Sequence, residues 1–265
     1  MPHESRTPLT ESAAVAHAAV RVGPIVRVEP VQGFAGNRTY RLHTAAGPVV
    51  YLKSGASVEA EARVCRLARS AGVPAPEILH VEPTYLLAAE IPGGASTSPT
   101  VLTEAGRRLR RMNELHGDAN WAKRLSEPIN HLDTLTGILP PALIRRLREV
   151  VPPFVDSVAH VDPVLLHADL HPRHLYAVGN DLTGILDWGD AMYGDPLFDL
   201  ARFTMSGPEA TKALLAGYDL DVTGLEQTFS MYRALWALMA IHAEHTAGGT
   251  WITPHITTIT HELAR

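Results

Sequence analysis

Cysteine is almost absent: Cys65 is the only one in 265 residues. No disulfide can form within the chain, which fits a reducing compartment. Charge is also scarce. Charged residues make up 19%, below the ~25% of average globular proteins, and this excludes wholesale disorder. A basic excess is missing too, with 23 Lys and Arg against 28 Asp and Glu, a net charge of −5. Such a chain lacks the broad positive field that non-specific nucleic-acid binding needs, although a local phosphate pocket remains open to it. No apolar run approaches the ~20 residues of a membrane span. The opening MPHESRTPLTES is polar, without the apolar core of a secretory leader. From these absences we expect a cytoplasmic protein without nucleic-acid or membrane partners; a monomer or weak dimer is expected besides, on no feature of the composition.

What is present is a hydrophobic share of 46% and 14 histidines. The length permits one large or two small domains with a core that needs no staples. After an Ala-rich helix around residues 13–19, three short segments rich in β-branched and aromatic residues follow: Ile25–Val28, Thr39–His43 and Val49–Lys53. Gly- and Pro-containing turns separate them, so they read as antiparallel strands. Residues 58–70 switch to a helical period and end at Gly72, before Pro74 and Pro76. Ile78–Val81 and Tyr85–Glu90 read as two more strands. Beyond Ile91-Pro92-Gly93-Gly94 the chain turns helical, with stretches near 102–115, 143–150, 196–218 and 225–246. One β segment, 164–188, interrupts them. Arg107, Arg108, Arg110 and Arg111 alternate with the apolar stripe of a helix and read as a solvated face.

The chemistry sits in residues 164–202, VLLHADLHPRHLYAVGNDLTGILDWGDAMYGDPLFDLAR. An apolar run leads into His167, Asp169, His171 and His174. Leu175–Val178 and Thr183–Leu186 read as strands joined by a turn at Gly179-Asn180-Asp181. With the turn centred between Asn180 and Asp181, His174 and Asp187 fall opposite each other at the open end. Paired positions have Cβ atoms about 4.5–5.5 Å apart, close enough for both side chains to reach one metal ion.

The spacing His167-x-Asp169-x4-His174, followed by Ile185-Leu186-Asp187-Trp188, resembles the catalytic and metal-binding segments of the aminoglycoside phosphotransferase family. Protein kinases carry H-R-D-x-x-x-x-N and D-F-G at the corresponding places. Gly194-Asp195-Pro196 and Asp199-Leu200-Ala201 match the family's G-D-P-x-x-D-L-A stretch. Upstream, in order, come a loop with Gly33, Gly36 and Asn37, a third-strand Lys53, Glu61 on the next helix, and Gly72-Val73-Pro74-x-Pro76. His174 stands where most relatives have a metal-binding Asn, and His171-Pro172-Arg173-His174 is similar to the macrolide phosphotransferases. The 187–195 stretch is similar to hygromycin phosphotransferases.

The resemblance implies an α+β, protein-kinase-like fold of two lobes. A small N-terminal lobe (1–91) would hold a five-stranded antiparallel sheet with one helix. A mostly helical lobe (92–265) would carry the 164–202 segment, with the active site in the cleft between the lobes. It also implies transfer of the γ-phosphate of ATP or GTP, with Mg²⁺, to a hydroxyl of a small molecule, an antibiotic in the relatives. Asp169 would orient the attacking hydroxyl, and Asp187 with His174 would hold the metal. Lys53 would contact the α- and β-phosphates and pair with Glu61, with Glu59 as fallback. Backbone amides from Ala35 through Gly36, Asn37 and Arg38 would cradle phosphate oxygens, and the base would sit against the connector at Ala89–Ile91. Asp190 would face the acceptor, while His167, Asp195 and Asp199 brace loops. Two other readings remain open on the residues: a metal-dependent hydrolase using His167, Asp169 and His171, and a non-catalytic nucleotide-binding module.

Overall fold

The computed structural model describes residues 8–33 and 36–264. Its contacts divide the chain into two compact units, one running up to Val101 with Arg173–Asp190 added, the other made of Leu102–Pro172 and the residues from Ala191 on.

The first unit begins with helix α1 (Glu11–Val22), strands β1 (Ile25–Val31), β2 (Arg38–Thr44) and β3 (Val49–Ser54), and helix α2 (Val58–Ser70). Strands β4 (Ile78–Glu82), β5 (Tyr85–Ala89) and β6 (Gly94–Ala95) follow. The first five strands form the expected sheet, in the order β1-β2-β3-β5-β4, with antiparallel neighbours. Side chains alternate across a strand, and each face has its own cover. Val50 and Leu52 of β3 join Tyr40, Leu42, Tyr85 and Leu87 in a core closed by Ala14 and Ala18 of α1. Leu86 and Ala88 point the other way, toward Val58 and Ala62 of α2. Two helices therefore cover this sheet: α2, and the Ala-rich α1 expected around residues 13–19, whose Ala14 and Ala18 pack on the strands. The alternation also puts Lys53 on the α2 face, and a one-residue slip would turn it into the α1 core.

The second unit contains α3 (Pro99–Met112), α4 (Trp121–Asn130), α5 (Pro141–Ser157) and β7 (Val164–Leu166). The chain then returns to the first unit as a hairpin, β8 (Leu175–Val178) and β9 (Asp181–Ile185). It re-enters the second with β10 (Met192–Gly194), α6 (Pro196–Thr204), α7 (Pro208–Tyr218), α8 (Glu226–Ala247) and α9 (Ile252–Leu263). The hairpin belongs with the first unit because β8 pairs with β6 and the Ile185 N–H donates to Pro74 O at 2.7 Å. A boundary at 91/92 leaves that return out of account.

In the second unit, β7 and β10 pair antiparallel. The fully buried Trp121, Phe198 and Tyr232 pack edge to face, with Trp121 and Phe198 centroids 5.5 Å apart. The Tyr232 hydroxyl donates to Asp195 at 2.6 Å. The helical stretch expected over 196–218 is two helices. Gly207 at φ 101° breaks it, and Pro208 opens α7. The arginines of α3 lie on its polar face, Arg107 and Arg108 paired with Glu104 and Arg110 with Asp219. Helices α3 and α7 approach through glycines, since a Cβ on Gly106 would meet Leu214 O and one on Gly217 would overlap Thr103 O. Gly217→Ala is expected to force these backbones apart and lower stability by roughly 1–3 kcal/mol, read as a drop in melting temperature.

The hairpin register differs from the sequence expectation. Val178 pairs with Asp181, so the turn is Gly179-Asn180, and a bulge between Tyr176 and Ala177 shifts the ladder again. The backbone partner of His174 is Leu186, whose N–H donates to His174 O at 2.9 Å. Asp187 still reaches His174, because its left-handed backbone, φ 65°, turns the side chain back.

Candidate active site

Lys53, Glu61 and Asp187 meet in the first unit. Lys53 Nζ lies 3.0 and 2.8 Å from the two carboxylate oxygens of Glu61 and 3.3 Å from Asp187 Oδ1. Sheet alternation aims Lys53 at α2, and Glu61 faces back from the first turn of that helix. Lys53 and Glu61 are largely buried, whereas the Asp187 side chain is half exposed, at 52%. Burial alone would release the Lys53 proton, but Glu61 and Asp187 outweigh it and hold the ammonium above its ordinary range. Burial pushes Glu61 upward while Lys53 opposes that shift. A permanent cation therefore stands between a structural carboxylate and an accessible one. Gly189 lies beside all three groups, and a Cβ there would be in ordinary contact with them at 3.5–3.9 Å.

His174, 6% exposed, has its Nε2 3.7 Å from Asp187 Oδ2. The Arg173 Nε–H donates to that same Nε2 at 2.9 Å, so a metal ion at this nitrogen would have to displace it. Asp187 suits a hard divalent cation, offering an accessible carboxylate oxygen and leaving other positions to phosphate and water. Among the described residues, no three His, Cys, Asp or Glu side chains are placed to hold a metal ion together. The hydrolase alternative, which needs His167, Asp169 and His171 as such a set, finds no support here.

The other first-unit expectations fall as follows. Asn37 lies against Gly55, where its carboxamide fills the space of a Cβ, and Gly36 takes φ 90°. The Arg38 guanidinium reaches Leu9 O at 3.5 Å on the α1 side of the sheet, leaving only its backbone for a phosphate. Ala35 lies outside the described residues. The Ala89 N–H is spent on Glu77 O and the Glu90 N–H on Val49 O. The Ile91 side chain covers Gly184. Asp190 is exposed and close enough to Glu61 to raise its proton affinity, so it stands with the lysine cluster.

In the second unit, Asp169 follows Ala168, a residue with left-handed φ 67°. The loop is held from α6. Asp199, 2% exposed, accepts the His167 and Ala168 N–H groups, each at 2.7 Å. Burial pushes its carboxyl upward, opposed by His167 and by these amides. Asp195 caps the same helix, accepting the Leu197 N–H at 2.9 Å. Both bracing roles match the sequence expectation. Arg202, which the sequence reading passed over, donates from Nε and Nη2 to Asp169 Oδ1, each at 2.9 Å. Asp199→Asn places an amide donor against one of two backbone donors. It should cost about 1–3 kcal/mol and lower the thermal midpoint, whereas Asp187→Asn, at a half-exposed site, should leave that midpoint nearly unchanged.

Comparison with known proteins follows the same lines. Residues 27–235 match the model of the phosphotransferase enzyme family. A thermostable mutant of aminoglycoside phosphotransferase APH(4)-Ia, solved with ADP and hygromycin B, superposes with a TM-score of 0.74 at 14% identity, over 94% of this chain and 98% of that one. Macrolide 2'-phosphotransferase MphH from Brachybacterium faecium gives 0.68 at 17% identity, over 94% and 98%. A fructosamine-3-kinase homologue from Thermobifida fusca gives 0.74 at 15%, over 97% and 100%. These likenesses establish the kinase-like α+β fold. A curated relative, the uncharacterized protein YcbJ of Bacillus subtilis, is 42% identical over 57 residues, 21% of this chain and 19% of its own length. With a family model matching residues 27–235, most of its length, the chain belongs to the phosphotransferase enzyme family.

Proposed function

We propose that the protein is a small-molecule kinase, transferring the γ-phosphate of ATP or GTP to a hydroxyl of a small acceptor. The observation that carries this reading is the Lys53 ammonium bridging Glu61 and the accessible Asp187. Phosphoryl transfer asks the protein chiefly for position and charge neutralisation. Lys53 meets the α- and β-phosphate oxygens while Glu61 fixes its reach. Backbone amides at Gly36–Arg38 lie along the phosphates, and the Ile91 N–H, which no described backbone bond takes up, meets the base edge. Asp187, with His174 beside it, would hold magnesium, which when bound would supply neutralisation of the phosphate charge. Asp169 accepts the proton of the acceptor hydroxyl as its oxygen bonds to the γ-phosphorus. The bond from that phosphorus to the bridging β,γ-oxygen breaks, and ADP or GDP leaves.

The solved relatives complexed with hygromycin B and gentamicin make antibiotics the first acceptors to try, with sugars and amino alcohols after them. We infer a cytoplasmic enzyme acting as a monomer or weak dimer. Among the described residues no helix is long and apolar enough to cross a membrane.

The test is ADP or GDP release with Mg²⁺ over aminoglycosides, macrolides, peptide antibiotics, sugars and amino alcohols. Acceptor-dependent release supports the reading. Nucleotide binding without turnover across the panel would replace it with the non-catalytic module. On an active acceptor, a Mg²⁺ titration of His174→Ala and His174→Asn decides the second ligand. A raised Mg²⁺ requirement in Ala but not in Asn makes His174 a ligand. An unchanged requirement in both makes it a structural residue and not a ligand.

A further inference from the structure

We propose that Arg202 is a positioning residue for Asp169, and that one face of α6 acts as the jig for the catalytic loop. The inference rests on the phosphotransferase reading. Asp195, Asp199 and Arg202 stand at i, i+4 and i+7, one helical stripe. Each has a separate task. Asp195 ties the start of α6 to Tyr232 of α8, and Asp199 holds the loop backbone at His167 and Ala168. Arg202 holds the Asp169 side chain itself, through two N–H groups on Oδ1.

The arginine is in turn immobilised. Its side chain is 5% exposed, and its guanidinium carbon lies 3.9 Å from the centre of the Trp236 ring. Trp236 meets His255 of α9 edge-on, with centroids 5.4 Å apart. A planar guanidinium stacked on an indole and forked onto one carboxylate oxygen restricts the orientations open to the Asp169 side chain. Lysine, a point charge on a flexible stem, cannot reproduce this. Displacing a reacting group by about 1 Å can cost on the order of 100-fold. A bare folding role would require only that the buried arginine be paired, and Asp199, three residues back on the same stripe, is the nearer carboxylate in sequence. Instead Arg202 is paired with the one carboxylate of this loop that has a proton to accept.

The experiment is a double-mutant cycle on ADP release from Mg·ATP, measured with water and with the best acceptor of the panel. Arg202→Met is expected to lower kcat roughly 100-fold and Arg202→Lys roughly 10-fold, with KM for Mg·ATP within about 2-fold. In the Asp169→Asn background the same Arg202 substitutions should change kcat by less than about 2-fold, because the group they position is gone. Melting temperatures are recorded throughout, and if Arg202→Met does not fold, the cycle runs on Arg202→Lys alone. Equal fold losses in both backgrounds, or a loss confined to KM, would overturn the proposal and leave the kinase reading intact. A wild-type chain releasing neither ADP nor GDP with any acceptor or with water overturns both.

Discussion

Asp169→Asn is expected to cut kcat by 10²–10⁴-fold, the contribution typical of a positioned general base, while leaving nucleotide KM and melting temperature close to wild type. The substitution keeps the shape of the side chain. Its amide oxygen can still accept from Arg202 at Oδ1, where the native carboxylate takes two N–H groups. What is lost is the capacity to take a proton at the other position. Steady-state kinetics and thermal melts on the same preparation check both halves. A variant that retains wild-type turnover on an established acceptor removes Asp169 from the mechanism. One that unfolds shows that the Arg202 pair serves stability first.

Lys53→Met is expected to lower kcat/KM by at least 100-fold and also to destabilise the fold, because Lys53 has two employments. On the proposed function it neutralises phosphate oxygens, and it is the counter-ion of Glu61, whose side chain is 9% exposed. Removing one partner of a buried pair costs about 3–5 kcal/mol, since the other charge is stranded. The double variant Lys53→Met, Glu61→Gln should recover most of the lost melting temperature and none of the activity. Recovery of both would make Lys53 a structural cation. Loss of activity without loss of stability would mean that water or protonation of Glu61 suffices to accommodate its carboxyl.

Much of this was legible in residue order. The strands of the first unit announce themselves through β-branched alternation and glycine turns, and the period change at 58–70 gives α2 to the residue. Once Lys53 is on a strand and Glu61 on the following helix, their meeting requires only the parity of β3. Other parts were hidden for physical reasons. The one-residue bulge at Tyr176/Ala177 lies in backbone geometry that no side-chain pattern records. Helix α9, ITPHITTITHEL, is rich in β-branched residues of low helix propensity. It is held by packing against α8, by Ile259 in the core and by the Arg233–Glu262 ion pair at 2.6 Å. Helix α4 carries Pro128 inside, which argues against a helix on local grounds. Arg202 was findable from the spacing Asp195-x3-Asp199-x2-Arg202, but only once that stretch is known to be helical and to face the loop.

The left-handed backbones at Ala168 and Asp187 set different terms for evolution and engineering. A side chain in that conformation costs roughly 1–2 kcal/mol relative to glycine, so both positions carry a debit in stability. At Ala168 nothing chemical depends on the methyl group, and glycine is an open route to a sturdier protein. At Asp187 the carboxylate is the group we propose to hold the metal, and a glycine that relaxes the backbone removes it. Selection for thermal robustness should therefore find position 168 early and leave 187 untouched, and β-branched residues should be purged from both. The two kinks mark, in the chain's tolerance of mutation, where stability can be recovered freely and where it is permanently committed.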